Sequence, residues 1–265
     1  MMTNTWMETI GRVAFLNCDP LFHDLDERWN VLAAPPAWLT GHVLRKDCVL
    51  APIPAADYAK HCDELVLLPD IGIGSQGEVG SVLLFGSDSI ESMETIALPS
   101  DSATSVALLK YLMMTSGREF SYMTTGPDFE LMMEQADGCL LIGDRALEAA
   151  KEHPEMVRLD LGQAWLERHG LPMVFGVFVA RKDTPVDALK QAHSALLTGL
   201  NEFEKSEEKR EAVIQWAMGR SDLTHSRLDQ YFGEVFNRLD SHHMEGLHRF
   251  LSEACDLPEP LEFAW

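Results

Sequence analysis

The chain has 265 residues, of which 46% are hydrophobic and 24% charged, so it is long enough to bury a core in one large or two small domains. This composition excludes disordered, collagenous and coiled-coil classes. With 21 Lys and Arg against 42 Asp and Glu, the net charge of −21 repels phosphate backbones and anionic membranes. We therefore expect no nucleic-acid or membrane partner. A bound anion would need backbone N–H groups at helix N-termini.

The sequence shows no sign of export or of a metal site. Residues 1–9 lack the features of a secretory signal, and the most apolar stretch, residues 173–180, is too short to span a bilayer. Five cysteines without a CxxC pair predict neither a disulfide framework nor a zinc site. We expect a cytoplasmic protein with reduced thiols, no metal and no cofactor.

Apolar runs alternate with helical patterns over the first 180 residues, which predicts largely parallel sheets covered by helices. In chain order, strands are predicted at 13–16, 30–33, 48–53 and 65–68, with helices at 37–46 and 55–62. After the apolar run 81–85, a second series has strands at 95–98, 120–123, 139–142, 156–161 and 174–180, with helices at 102–115, 128–135 and 144–152. From Pro185 onward the spacing is helical, and no strand is expected.

This organisation predicts two α/β lobes with a helical C-terminal tail packed on the first lobe. The chain would cross between the lobes near residues 86–94 and again near residues 181–185. Residues 1–88 and 182–265 would form the first lobe, and residues 89–181 the inserted second lobe. Two crossings make a hinge, and the cleft between two lobes is a preferred ligand site.

Residues Gly72–Gly77 match the pattern GxGxxG after a predicted strand. A dinucleotide-binding fingerprint also needs a helix that begins at the third glycine. Here the sequence after Gly77 indicates a strand instead. A tight turn or a close backbone approach to a ligand is therefore favoured, and a dinucleotide oxidoreductase is a remote alternative.

Several polar residues follow predicted strands, where open α/β sheets bind ligands. Asn17 ends the first strand, Thr104 and Ser105 begin a helix after a strand, and Asp144 follows the strand that ends before Gly143. Free N–H groups at the Thr104 helix start could bind an anion. Each residue also has a structural interpretation, as a turn-forming Asn or as a helix cap.

Six segments that occur in order resemble the chorismate dehydratases of the futalosine route to menaquinone. They are Val13–Asn17 with Pro20 and Leu21, Pro69–Ser75, Ser81–Phe85, Ala103–Leu109, Leu141–Leu147, and Asp160–Gly162 through Trp165 to Gly170–Pro172. The resemblance implies an α/β fold of the periplasmic-binding-protein-like type II class. Such a fold has two α/β lobes around a central cleft, a two-segment hinge and a helical tail on the first lobe.

The resemblance also implies an activity, the conversion of chorismate to 3-[(1-carboxyvinyl)oxy]benzoate and water. The substrate is a small dicarboxylate, and the protein would be a monomer or homodimer. Asn17 is implied as the catalytic residue that holds the ring and hydrogen-bonds the departing hydroxyl. The helix starts at Ala55-Ala56 and Thr104-Ser105 would bind the carboxylates. Further substrate contacts are expected at Pro54, Ser75, Ser81, Gly143 and Asp144.

Asn17 cannot act as a base, and the matched segments contain no His or Glu with an obvious base role. We hypothesise that the substrate's own enolpyruvyl carboxylate takes the ring proton. Many family members carry Lys and Arg where this chain has Asp19 and Ala103, which leaves open a substrate with less negative charge. Two alternatives also remain open: 1,4-dihydroxy-6-naphthoate synthase, which uses a His base near the position of Asp144, and a non-catalytic small-anion-binding protein of the same fold.

Overall fold

The computed structural model describes residues 5–114, 117, 119–257 and 260–265. Within them, no helix combines the length and the apolar character needed to cross a bilayer. The strands are β1 (Thr9–Val13), β2 (Asn30–Ala34), β3 (Ala51–Pro54), β4 (Leu65–Ser75), β5 (Val82–Gly86), β6 (Thr95–Pro99), β7 (Ser121–Thr125), β8 (Gly138–Ile142), β9 (Val157–Asp160), β10 (Met173–Arg181) and β11 (Val235–Arg238). The helices are α1 (Asp19–Phe22), α2 (Pro36–Leu44), α3 (Ala55–His61), α4 (Ala103–Met114), α5 (Phe129–Gln135), α6 (Asp144–Glu152), α7 (Leu161–His169), α8 (Val186–Lys205), α9 (Glu207–Met218), α10 (His225–Glu234) and α11 (Ser241–Ala254).

The first lobe is built on two sheets. Strands β1 and β2 pair in parallel. The other four strands form a sheet in the order β11-β4-β10-β3, in which every neighbouring pair is antiparallel. The prediction of largely parallel sheets is confirmed for β1, which is parallel to β2 and to Leu50 just before β3, and is wrong for the four-stranded sheet. The reason is that β10 returns from the second lobe and lies between β3 and β4, so it runs against both.

The second lobe contains a mixed sheet in the order β7-β6-β8-β5-β9. Strand β6 is parallel to β7 and β8, whereas β5 is antiparallel to β8 and β9. Every residue of β8 is buried, which explains its almost continuous apolar sequence. The main hydrophobic core extends through both lobes, and a smaller cluster that includes Phe85 and Met132 lies on one side of this sheet.

The C-terminal helices pack on the first lobe, as predicted. Helix α8 contacts α1, α11 contacts β10, and Phe263 near the end of the chain pairs with Leu67 of β4. The expectation that this region contains no strand is wrong, because residues 235–238 form β11 and pair with β4. Only four residues alternate in this strand, with Val235 and Asn237 buried, and the helical spacing on either side conceals them.

The strand pairing differs from the predicted lobe boundaries at two places. The chain leaves the first-lobe sheet after Ser75 and enters the second-lobe sheet at Val82, so β5 belongs to the second lobe. It leaves that sheet after Asp160, and β10 lies in the first-lobe sheet. An apolar run does not specify which sheet its strand joins. We propose that the second lobe comprises residues 82–160 and that the crossings are residues 76–81 and 161–172.

The Asp160 carboxylate forms hydrogen bonds with both proposed crossings. It accepts hydrogen bonds from the backbone N–H groups of Val79 and Gly80 in one crossing and of Gly162 and Gln163 in the other, at 2.8–3.2 Å. Burial of Asp160 raises the pKa of its carboxyl, and the backbone donors oppose that rise. The hinge therefore contains a hydrogen-bonded junction at its centre.

The glycines of the GxGxxG pattern permit close strand packing. Gly72 and Gly74 lie within β4, and a Cβ on Gly74 would come within 2.3 Å of the Met173 carbonyl oxygen. No helix begins at Gly77 in the described chain, which continues into β5. The pattern is therefore not a dinucleotide-binding fingerprint.

Candidate active site

A cavity lies between the two lobes and is lined by residues from both. The space between its lining residues, including a part that is open to solvent, measures about 570 Å³. Its walls are mostly apolar and include Phe15, Ile53, Ile73, Ile142 and Phe175. The predicted site residues among the lining residues are Asn17, Pro54, Ser81, Thr104, Ser105 and Gly143. The predicted site residues that are not among them are Ala55, Ala56, Ser75 and Asp144.

The polar groups of the cavity are neutral. Within the described part of the chain, no Lys, Arg, His, Asp or Glu side chain is among the lining residues. The same residues contain no group of three or more His, Cys, Asp or Glu side chains placed to hold a metal ion. Chemistry in this cavity would therefore depend on amide and hydroxyl side chains, on backbone N–H groups and on the functional groups of the ligand itself.

Asn17 lies in a short helical turn, Leu16–Cys18, that begins three residues after the end of β1 at Val13. The sequence predicted a strand through Leu16, but the pairing of β1 with β2 ends at Val13. Among the described residues, the buried Oδ1 of Asn17 has no hydrogen-bond partner. A buried carbonyl oxygen without a partner costs about 1–3 kcal/mol. Because Asn17 lines the cavity, a ligand hydroxyl or amide could supply the missing donor.

The backbone of Asn17 is held by a residue that the sequence analysis missed. The Nδ2 of Asn237 donates to the carbonyl oxygen of Asn17 at 3.0 Å and to that of Gly72 at 3.3 Å. Asn237 is buried in β11. A buried Asn side chain in a strand needs hydrogen-bond partners nearby, which would have marked Asn237 as a structural or functional residue. The sequence analysis could not use this indication because it did not predict the strand.

The N-terminus of α4 borders the cavity. Ser102, Thr104 and Ser105 are buried there and line it. The first N–H groups of a helix have no acceptor within the helix, so this end carries partial positive charge. The structure thus places the predicted anion-binding helix start beside the cavity.

The start of α3, the second predicted carboxylate site, has a partner in the opposite lobe. The Ala56 N–H donates to Thr104 Oγ1 at 3.1 Å across the cleft. Ala55 and Ala56 are buried. In this conformation the Ala56 amide is not open to a ligand, and it instead joins the two helix starts.

Two serines predicted to bind substrate have different surroundings. The Ser81 hydroxyl lines the cavity and accepts a hydrogen bond from the buried Tyr231 hydroxyl at 3.1 Å. Burial raises the pKa of Tyr231, so its hydroxyl remains a donor. The Ser81 proton is therefore directed to another acceptor. Ser75 is fully buried, and its hydroxyl donates to the Gly77 carbonyl oxygen at 2.9 Å.

Two carboxylates, those of Asp144 and Asp19, lie near the Asn17 turn but outside the cavity wall. Asp144 begins α6, and its Oδ1 accepts the Leu16 N–H at 3.0 Å. Asp19 is completely buried and forms ion pairs with Arg12 and Arg220. Neither carboxylate is among the cavity-lining residues. Asp19 therefore contributes to the first lobe's interior and not to the cavity wall.

The Asp144 carboxyl should make stability depend on pH. Burial raises its pKa from 3.8 to about 6, although the hydrogen bond from Leu16 opposes the rise. Because the folded-state pKa is raised, the stabilising contribution is complete below pH 3.8 and is lost as the pH increases through 6. We expect Asp144→Asn to remove this titration. Between about pH 5 and about pH 7.5, the free energy of unfolding of the variant should rise by about 1.5 kcal/mol relative to the wild type.

Urea denaturation of both proteins at the two pH values measures this difference. Asp19 is coupled to Asp144, whose charge adds to the effect of burial in raising the pKa of Asp19 to about 7. Its pKa should therefore fall in Asp144→Asn, which changes the difference between the proteins in the same direction. A difference between variant and wild type that is independent of pH would contradict the assignment.

A protein-family model described as menaquinone biosynthesis matches residues 8–256 of the chain. The chain belongs to that family. A curated relative from Thermus thermophilus, named chorismate dehydratase, is 36% identical over 225 residues, and the match covers 77% of this chain and 83% of the relative. The family resemblance inferred from the six ordered segments is thereby confirmed.

Solved structures show which fold this family member has. A protein of Archaeoglobus fulgidus is 18% identical, with a TM-score of 0.73 over 93% of this chain and 96% of that chain. The alkanesulfonate-binding protein of Xanthomonas axonopodis pv. citri, solved with bound MOPS, is 13% identical, with a TM-score of 0.67 over 97% and 96%. A Candida albicans protein described as having the generic periplasmic binding protein fold is 13% identical, with a TM-score of 0.65 over 95% and 91%. The predicted periplasmic-binding-protein-like fold is confirmed.

Proposed function

We propose that this protein is a chorismate dehydratase, a carbon–oxygen lyase that converts chorismate to 3-[(1-carboxyvinyl)oxy]benzoate and water in menaquinone biosynthesis. Its family membership and its curated relative support the proposal. The observation that carries it is the Asn17 amide, whose buried oxygen lacks a protein partner in the described chain and which lines an interlobe cavity with neutral polar groups.

Chorismate would bind with one carboxylate at the N-terminus of α4, where Thr104 and Ser105 line the cavity. The apolar walls, including Phe15 and Phe175, would pack against the ring. Because backbone N–H groups supply the positive potential, the site can bind an anion in a protein with a net charge of −21.

In the proposed reaction, the bond from a ring carbon to hydrogen breaks and its electron pair becomes part of the aromatic ring. The bond to the neighbouring hydroxyl breaks, and the hydroxyl leaves with one proton as water. The Asn17 amide would hydrogen-bond the hydroxyl and orient the ring. With no acid or base side chain among the described lining residues, the enolpyruvyl carboxylate of the substrate is the proposed proton acceptor.

Asp144 gives the main reason to prefer this reaction to that of 1,4-dihydroxy-6-naphthoate synthase. That enzyme is expected to carry a His base near this position. Here the side chain is a carboxylate that accepts the Leu16 N–H and is not among the lining residues of the cavity. The position therefore does not offer a base to a ligand in this conformation.

The test is to incubate the purified protein with chorismate and to separate the products by liquid chromatography with mass detection. We expect a protein-dependent aromatic product that is lighter than chorismate by one water and retains the enolpyruvyl group. Chorismate that protects the protein against thermal unfolding without reacting would indicate a binding protein instead. Chorismate that neither reacts nor protects would refute the proposed substrate.

A further inference from the structure

The start of α6 in the second lobe contacts the first-lobe residues Phe15 and Leu16, which precede Asn17. The Leu16 N–H donates to Asp144 Oδ1 at 3.0 Å. The Phe15 ring packs against Gly143, where an added Cβ would lie 2.5 Å from the ring. The Arg145 guanidinium lies over the same ring, 5.3 Å from its centroid. Gly143 has a φ of 63°, a conformation that glycine adopts without strain.

These contacts cross the cleft, in contrast to the other contact that holds this turn. Asn237 binds the Asn17 carbonyl oxygen from within the first lobe and does not depend on lobe closure. The Leu16 N–H lies beyond the end of the β1 pairing, so it has no strand partner and takes its acceptor from the second lobe. In a conformation with the lobes apart, this N–H would lose the carboxylate, and the turn would keep only its first-lobe support.

We infer that Asp144 is a positioning residue: its hydrogen bond to Leu16 across the cleft places the Asn17 amide for reaction only when the two lobes are closed. Asp144 acts on the substrate through Asn17, since it is not among the cavity-lining residues. Lobe closure and correct placement of the catalytic amide are thus coupled. The inference rests on the proposed function for its kinetic test, but not for its structural test.

The structural test measures hydrogen–deuterium exchange in the ligand-free protein for a peptide that covers residues 14–22. Asp144→Ala removes the acceptor, and we expect the Leu16 amide to exchange at least about tenfold faster. Asp144→Asn keeps a carbonyl oxygen in the same place and should stay within about threefold of the wild type. If Asp144→Ala does not fold, Asp144→Ser replaces it, because the serine hydroxyl is too short to reach Leu16.

Asp128→Ala is the matched control. Asp128 also stands at a helix start in the second lobe, but it caps α5 by accepting the Leu131 N–H at 3.0 Å. Its removal should leave exchange in residues 14–22 unchanged. A change there as large as that of Asp144→Ala would mean that any damage to the second lobe loosens the Asn17 turn, and the specific role of Asp144 would be refuted.

The kinetic test uses chorismate turnover. A misplaced catalytic group costs on the order of 100-fold, so we expect Asp144→Ala to lower kcat by about 10- to 100-fold and to change KM by less than about threefold. Asp144→Asn should restore most of the kcat. Because Asp144 acts through Asn17, the double variant Asn17→Ala/Asp144→Ala should be no slower than Asn17→Ala alone.

The outcomes separate the two proposals. Unchanged Leu16 exchange in Asp144→Ala, normal kcat despite faster exchange, or additive losses in the double variant would each overturn the positioning role. If exchange responds as expected and the wild-type protein does not convert chorismate, the proposed function fails and the contact across the cleft is still established.

Discussion

Asn17→Ala is expected to lower kcat for chorismate dehydration by about 100- to 1000-fold, the range seen when one polar group that stabilises a transition state is removed. The Asn17 amide lines the cavity, and its buried oxygen has no partner in the described chain. A hydrogen bond that the Asn17 amide nitrogen donates to the departing hydroxyl strengthens as negative charge develops on that oxygen, so the loss should fall on kcat more than on KM. Steady-state kinetics with chorismate measures both constants.

The control for this variant is Asn30→Ala, an exposed residue of β2 that is not among the cavity-lining residues. Its kcat should equal that of the wild type. Near-normal turnover by Asn17→Ala combined with inactive Asp144→Ala would refute the assignment of Asn17 and would make Asp144 the candidate base.

Burial raises the pKa of Asp19 to about 7, against the effect of Arg12 and Arg220. At about pH 8.5, where this carboxyl is ionised, Asp19→Ala is expected to lower the free energy of unfolding by about 3–5 kcal/mol, because removing one partner of a buried ion pair leaves the other uncompensated. The Asp19 side chain is 0% exposed and pairs with Arg12, which is 11% exposed, and with Arg220, which is 33% exposed. Both guanidiniums also lie over the Trp216 ring, 4.8 and 4.0 Å from its centroid. Without the carboxylate, two like charges would share this site.

The chain offers a matched control for this second variant. Asp183 also pairs with two cations, Lys46 at 2.8 Å and Arg181 at 3.0 Å, but its side chain is 51% exposed. Exposed pairs contribute about 0–1 kcal/mol, so Asp183→Ala should have a small effect. Urea denaturation of both variants at one pH gives the comparison. Equal losses would show that burial does not determine the contribution of Asp19.

Most of the secondary structure was predictable because its signals are local. Helices α2 and α3 follow prolines, and β8 is a short apolar run bounded by Asp137 and Gly143. Strand β11 was missed because it has only four residues, too few for their alternating burial to stand out from the helical spacing on either side. The strand directions in the four-stranded sheet of the first lobe were predicted wrongly, because β10 is placed by the return of the chain from the second lobe, which no local pattern encodes.

The candidate site also has features that the sequence predicted and features that it did not. The sequence alone placed Asn17 after the first strand and Thr104-Ser105 at a helix start, and both positions line the cavity. It did not reveal that the Ala56 amide is occupied by Thr104. Nor did it reveal that Asn237 supports the Asn17 turn, since 220 residues separate this pair along the chain.

By itself, the sequence determined the α/β class, the family and the helix starts that supply N–H groups, because these depend on periodicity, caps and ordered motifs within short segments. Only the tertiary structure decided which sheet each strand joins and which polar groups meet across the cleft. Asp144 illustrates the difference: its position after Gly143 is compatible with a cap, a base or a ligand contact. Its hydrogen-bond partner is the Leu16 N–H, which folding brings to it from 128 residues away.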